Sequence, residues 1–333
     1  MLGYAAMFEE FTPSDLLLWS RQAAAAGFGG VMGSDHFHPW VPSQGQAGFV
    51  WSWLGAIGAT AKGIQLGTGV TAPVGFRYHP VIVAQAAATL EELFPGRFYL
   101  GVGAGEALNE HVTGQYWPEA PTRLDMLMES IEVIKQLFSG KVVKHRGPHF
   151  TVESAKLYTL PSPPPPIYIA TSGPIMSERT GRVADGIITV GAPDEKIKTL
   201  LGRFAKGAAE SGRDPASLKR VIQLHVSWAT TREEAVAQTV REWPNGGMAF
   251  PKADIRNPED FEAMAKLVRP EHFEGRVFMQ ADLAQHTQHI QHFIDLGFDD
   301  VYVHNVGRNQ AEFIAAYARE VLPNLRWPNA AKG

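Results

Sequence analysis

Cysteine is absent from all 333 residues. Its absence excludes a disulfide framework, a thiolate nucleophile and a thiolate metal site, and it suits a cytoplasmic protein. No apolar run approaches the roughly 18 residues of a membrane-spanning helix. The first residues, Met1-Leu2-Gly3-Tyr4-Ala5-Ala6, have neither a basic region nor a long apolar core, so no signal peptide is expected. An excess of one charge is missing too: 30 Lys and Arg stand against 34 Asp and Glu, a net charge of −4. Nothing there points to nucleic acid or an anionic membrane as the main partner. What remains, 45% hydrophobic and 19% charged, is an ordinary globular composition with chain enough for one large barrel or two smaller domains.

Short apolar runs alternate with helical patterns along the whole chain. Strands are expected at Leu2 to Ala6, Gly30 to Met32, Ile64 to Val70, Phe98 to Val102, Ile167 to Ala170, Gly186 to Val190, Val221 to Trp228 and Asp300 to His304. Between them, Thr12 reads as an N-cap with Pro13 at the first helical position, and Gly27 ends that helix. Leu124, Leu127, Met128, Ile131, Ile134, Leu137 and Phe138 share one face of a long helix. Lys141 to Thr159 suggests a small hairpin, and the prolines from Pro163 to Pro166 a rigid lead-in to the next strand. Asp282 and an Asn309–Glu312 box are expected to cap the last two helices. Trp243 to Gln280 reads as a long irregular insertion with one helix near Asp260 to Val268. Eight strands in this alternation predict an α/β fold, a (β/α)8 TIM barrel with insertions, as one domain over residues 1–333.

In such a barrel the active site gathers at the C-terminal ends of the strands. The second strand runs into Gly33-Ser34-Asp35-His36-Phe37-His38-Pro39-Trp40. A carboxylate beside an imidazole is a usual way to orient a general base, and Trp40 adds a flat wall and an indole donor. The fourth strand runs into Gly101-Val102-Gly103-Ala104-Gly105-Glu106, which lacks the third glycine of a dinucleotide fingerprint. Its glycines suit close approach to a flat ligand, and a half-buried Glu106 suits an acid or base. Thr171-Ser172-Gly173-Pro174 opens a helix whose free N–H groups can hold an anion, or simply be capped. Lys252 and Arg276, in the insertion, can hold a phosphate together. A metal pair at His36 and His38 is the alternative. It needs ligands from other strand ends; strands five and six offer none, whereas His225 and His304 lie on strands seven and eight.

Four stretches together resemble the luciferase-like superfamily: Ser34 to Trp40, Gly67-Thr68-Gly69-Val70-Thr71-Ala72-Pro73, Phe76-Arg77-Tyr78-His79-Pro80, and Gly103 to Glu110. Within it they resemble the branch of coenzyme F420-dependent glucose-6-phosphate dehydrogenases and secondary alcohol dehydrogenases. The resemblance runs nearly end to end. It implies a homodimeric barrel with the deazaflavin in its mouth and a small-molecule substrate: a sugar, a sugar phosphate or an alcohol. It implies that His36 takes the substrate hydroxyl proton, that Trp40 steadies the oxyanion, and that Glu106 protonates the reduced ring. Glu9 matches a carboxylate near the substrate. Asp35, Gly69, Val70, Ala72, Asn109, Ser172 and Gly173 match cofactor contacts, with a cis peptide implied at Gly69–Val70. Thr189, Lys252 and Arg276 match three of four phosphate contacts. Ala192 stands at the fourth, a lysine, with Lys196 and Lys198 nearby. The implied reaction passes hydride between a sugar C1 hydroxyl and deazaflavin C5. Rival readings are an unphosphorylated substrate, an FMN-dependent monooxygenase, a zinc hydrolase and a deazaflavin carrier without catalysis.

Overall fold

The computed structural model describes residues 1–328. Among these, eight parallel strands close on themselves: β1 (Leu2–Ala6), β2 (Gly30–Gly33), β3 (Gln65–Thr68), β4 (Phe98–Val102), β5 (Ile167–Ala170), β6 (Gly186–Val190), β7 (Lys219–Trp228) and β8 (Asp300–Asn305). Each pairs with the next in sequence, and β8 returns to β1 through Leu2↔Val301. Closure pairs both sides of every strand, except where β7 runs past the end of β6.

Two cores result. The outer one joins barrel to helices, such as Leu54, Ile57, Leu127 and Ile134 against strand residues Val31 and Leu66. The inner one fills the barrel and includes Ala5, Met32, Ile188 and Val221. Its floor is a set of buried tyrosines. Tyr99 and Tyr168 stack with centroids 4.7 Å apart, and Tyr302 lies 6.3 Å from Tyr99. Glycine makes room for them: a Cβ on Gly67 would fall 2.0 Å from Tyr99 Cζ, and one on Gly3 would fall 2.4 Å from Tyr302 Cε1. The barrel interior is therefore closely packed with aromatic rings at this level.

Local expectations hold where local chemistry decides. The Thr12 hydroxyl accepts from the Asp15 N–H, Asp282 accepts from the Ala284 N–H, and Gly27 takes φ +99°. The hairpin is present as antiparallel strands Val143–Arg146 and Thr151–Ala155. Two expectations fail. Residues 243–280 are not irregular throughout. Besides the helix Pro258–Ala265 they hold a strand, Val277–Gln280, which pairs parallel with His225 to Trp228 of β7, beyond Gln223 where β6 ends. Four residues are too few to show a period; only the vacant edge of β7 makes them a strand. Asn309 is the N-cap of Gln310–Glu320, but its side chain bonds no helix N–H. It donates to the Trp228 carbonyl and accepts from Asn305 instead. No helix among the described residues is long and apolar enough to cross a membrane.

Candidate active site

The strand ends surround a cavity of about 1030 Å³. Its lining combines apolar wall (Met7, Val70, Ala72, Ile188) with a few convergent polar groups, the usual make-up of a small-molecule site. Every stretch singled out by sequence reaches it, though within those stretches His38, Gly173, Lys198 and His304 do not line it.

Of the two histidines after β2, only His36 lines the cavity. Its Nδ1 lies 3.1 Å from the His38 carbonyl oxygen. A carbonyl only accepts, so Nδ1–H donates to it, and in the neutral ring Nε2 is the nitrogen with the lone pair. Glu9 Oε1 stands 3.3 Å from that Nε2. The other Glu9 oxygen accepts from the Ser34 hydroxyl at 2.5 Å, and the same hydroxyl accepts from the Phe8 N–H. Glu9 is fully buried, and Oε1 has no hydrogen-bond partner among the described residues. His38 turns away: its Nδ1 meets the Leu108 carbonyl at 2.8 Å and its ring stacks on His111. The two imidazoles do not converge, and no group of three or more His, Asp or Glu among the described residues can hold a metal.

The carboxylate beside the His36 ring is therefore Glu9, not the adjacent Asp35. Asp35 is occupied. One oxygen accepts from Tyr78 at 2.9 Å and Arg77 at 3.2 Å, the other from Thr71 at 2.5 Å. Arg77 also donates to the Asp35 carbonyl and, through Nε, to Glu110 at 3.0 Å. All three charged side chains are at most 8% exposed. Burial pushes Glu110 up from its usual range while Arg77 pulls it down. This network clamps the loop that carries His36. Asp35 and Glu110 still line the cavity. Its members, Asp35, Thr71, Arg77, Tyr78 and Glu110, all lie in the four stretches that carry the family resemblance, but nothing in the sequence pairs them.

Asn109 belongs to the same clamp, its side-chain oxygen accepting from the Phe37 and His38 N–H groups. Trp40 lies with its ring 5.2 Å from His36 and its edge against Phe261 of the insertion helix, 5.3 Å away. Glu106 is the N-cap residue of Ala107–Glu110, yet its side chain caps nothing and lines the cavity. Burial pushes its carboxyl up, His36 and Lys252 pull it down, and Glu9 and Glu110 push with burial. The Gly69–Val70 peptide is cis.

On the far side lie the cations. Lys252 Nζ donates to the Asn245 carbonyl at 2.8 Å and sits 5.4 Å from the Trp40 ring centre. Burial pulls its ammonium below the usual value, with Glu106 opposing. Arg276 donates to the Met248 carbonyl. The Thr189 hydroxyl is buried beside them without a partner among the described residues. Lys196 and Lys198 both lie on Asp194–Glu210, but Lys196 lines the cavity while Lys198 pairs with Glu195. Helical phase separates them: two residues apart on a helix face nearly opposite ways. Ser172 lines the cavity before the helix Pro174–Val183, and the Gly173 N–H bonds to the Thr171 hydroxyl.

The family model for luciferase-like monooxygenases matches residues 1–300. The chain is 37% identical to an F420-dependent glucose-6-phosphate dehydrogenase of Microbacterium testaceum, over 97% of each chain. It is 38% identical to one of Nakamurella multipartita, over 97% of this chain and 96% of that one. A solved F420-dependent secondary alcohol dehydrogenase, in complex with an F420-acetone adduct, superimposes with a TM-score of 0.93 at 31% identity, covering 98% of this chain and 99% of that one. Barrel, cavity and near full-length similarity agree: the chain belongs to the luciferase-like monooxygenase family.

Proposed function

We propose that this protein is an F420-dependent dehydrogenase that oxidises a sugar or sugar phosphate at its C1 hydroxyl. The observation that carries the proposal is His36, which lines the cavity with Nδ1 held by the His38 carbonyl, so that Nε2 is the basic nitrogen of the neutral ring, with the Glu9 carboxylate 3.3 Å away. An alcohol loses hydride from carbon only as its hydroxyl proton leaves. Bound in the mouth, the deazaflavin supplies the hydride acceptor at its C5. The residues present fit that group. The cavity is large and mostly apolar, Glu9 Oε1 and the Thr189 hydroxyl are buried and unpartnered, and a helix start lies at Ser172 and Gly173. Ser172 would hold its phosphate, while Gly69, Val70, Ala72 and Asn109 would wall its ring and Asp35 would anchor that wall.

His36 Nε2 takes the hydroxyl proton, Nδ1–H stays on the His38 carbonyl, and Glu9 stabilises the imidazolium. Trp40 borders the forming oxyanion. Glu106, held up by burial, supplies a proton on the cofactor side. Thr189, Lys252 and Arg276 hold the anionic end of the substrate. Lys196 provides the third cation that Ala192 does not. Loss of one charge-assisted contact, about 1.5–3 kcal/mol, lowers affinity about ten- to a hundredfold. The reading includes a homodimer in the cytoplasm, tested by sedimentation and cell fractionation.

The test is bleaching of oxidised coenzyme F420 with glucose 6-phosphate, glucose and a secondary alcohol in parallel. Fast bleaching with the phosphate supports the reading in full. Bleaching with glucose or the alcohol alone supports the second reading, an unphosphorylated substrate, which Ala192 favours. No bleaching with any of them, in either direction, overturns both.

A further inference from the structure

Behind the cavity wall lies a set of ionisable groups that the chemistry above leaves unused. His225, on β7, lines the cavity. Its Nδ1 is 2.9 Å from Nδ1 of His304 on β8. On its other side, His304 Nε2 is 2.7 Å from Glu10 Oε2. His304 and Glu10 are 1% and 2% exposed. Trp243 packs against both imidazoles, with centroid distances of 5.4 and 4.6 Å, and keeps the rings in place. Glu10 Oε1 has no partner among the described residues.

A contact between two Nδ1 atoms holds one proton, and with neutral rings this leaves two arrangements. In the first, Glu10 is ionised, His304 Nε2–H donates to it, His225 Nδ1–H donates to His304, and His225 Nε2 is bare. In the second, Glu10 is protonated and donates to His304 Nε2, His304 Nδ1–H donates to His225, and His225 Nε2 carries a proton. The two differ by one proton, taken up at His225 Nε2 and lodged on Glu10. Neither leaves a charge on an imidazole.

The surroundings favour this pattern. Burial pulls His225 down to about 4 and His304 well below its usual value, so both rings stay neutral. Burial, Glu9 and Glu242 push the Glu10 carboxyl up, and Arg308, bonded to Glu242, pulls it down. Lys252 bears on His225 from the insertion and disfavours a positive charge on its ring. Tyr4 is the remaining titratable neighbour of Glu10; its hydroxyl donates to Gln310.

We propose that Glu10, His304 and His225 form a proton relay, separate from the His36–Glu9 pair, that exchanges one proton with a substrate oxygen lying against His225 Nε2. Its occupant is an oxygen of the substrate end that Lys252 holds, because His225 shares its wall with Lys252. In delivery, the bound oxygen takes the His225 Nε2 proton. His304 Nδ1 passes its proton to His225, Glu10 passes its proton to His304 Nε2, and Glu10 ends as a carboxylate. No electrons move, and the return passage restores the store. Use of the relay in turnover rests on the dehydrogenase reading; its existence does not.

The test is nitrogen-15 NMR of histidine-labelled protein without cofactor, from pH 5 to 9. The expected result is that His225 and His304 exchange tautomers together in one step while both rings stay neutral. The step vanishes in Glu10→Gln, and in His304→Phe His225 no longer follows. Fixed tautomers in the wild type, a step that survives in Glu10→Gln, or His225 titrating alone as an ordinary imidazolium overturns the relay. In turnover, Glu10→Gln is expected to lower kcat about tenfold or more with KM unchanged, as loss of a proton-transfer partner does. A kcat within twofold of wild type overturns the relay's part in catalysis. Absence of F420 turnover in the wild type counts against the dehydrogenase reading alone, since the NMR step is read without cofactor.

Discussion

Replacing Arg77 by methionine removes one cation from between two buried carboxylates. Asp35 and Glu110 are 1% and 0% exposed at their side chains, and Arg77 itself is 8% exposed, so water cannot take its place. Three side-chain bonds go: to the Asp35 carboxylate at 3.2 Å, to its carbonyl at 2.9 Å and to Glu110 at 3.0 Å. The backbone bond from Arg77 N–H to Glu110, at 3.1 Å, remains. Breaking a buried pair from one side costs about 3–5 kcal/mol. At about 2.1 cal/mol/K per residue, the unfolding entropy of this chain turns that cost into a loss of about 4–7 °C in Tm at pH 7. The deficit depends on pH, with a sign that follows from burial. Without the Arg77 guanidinium, only the retained backbone bond opposes the desolvation that already raises Glu110. A carboxyl whose folded pKa lies above its unfolded value is best tolerated below the unfolded value, and stability is lost as pH rises through the folded one. The gap between wild type and Arg77→Met is therefore widest at pH 7 and above and narrows toward pH 4–5. Thermal unfolding and urea titration across that range provide the assay. A deficit under about 1 kcal/mol, or one that does not shrink in acid, refutes the account of the clamp.

Three further outcomes are expected. His36→Ala retains cofactor binding by fluorescence titration but loses about 10²–10⁴-fold in kcat, the usual contribution of a general base; turnover close to wild type removes His36 from that role. Glu106 is held above the usual carboxylate range, so a rate that needs its protonated form falls as pH rises through the raised value, and Glu106→Gln abolishes that limb of the profile; an unchanged profile excludes Glu106 as the acid. Gly67→Ala places a methyl group 2.0 Å from Tyr99 Cζ and is expected to destabilise by about 1–3 kcal/mol or more as the barrel floor shifts; an unchanged Tm shows that Tyr99 moves freely.

The sequence by itself determined what nearest neighbours and short periods control. The eight barrel strands, the Thr12 and Asp282 caps and the hairpin after the long helix all follow from residues a few positions apart. The ends of those strands, once recognised as a barrel, brought His36, Trp40, Glu106, Ser172 and Thr189 to one place. Tertiary structure decided who partners whom there. His36 meets Glu9 and not Asp35, because strand register sets β1 beside β2, while Asp35 turns to Thr71, Arg77 and Tyr78. Lys196 reaches the cavity and Lys198 does not, a matter of helical phase against the barrel rim. Val277–Gln280 becomes a strand only because β7 outlasts β6. The relay joins Glu10 to His304 across 294 residues of chain. No local pattern encodes such a contact. It exists because a closed barrel puts the last strand beside the first, and because buried polar groups must find partners wherever the fold supplies them.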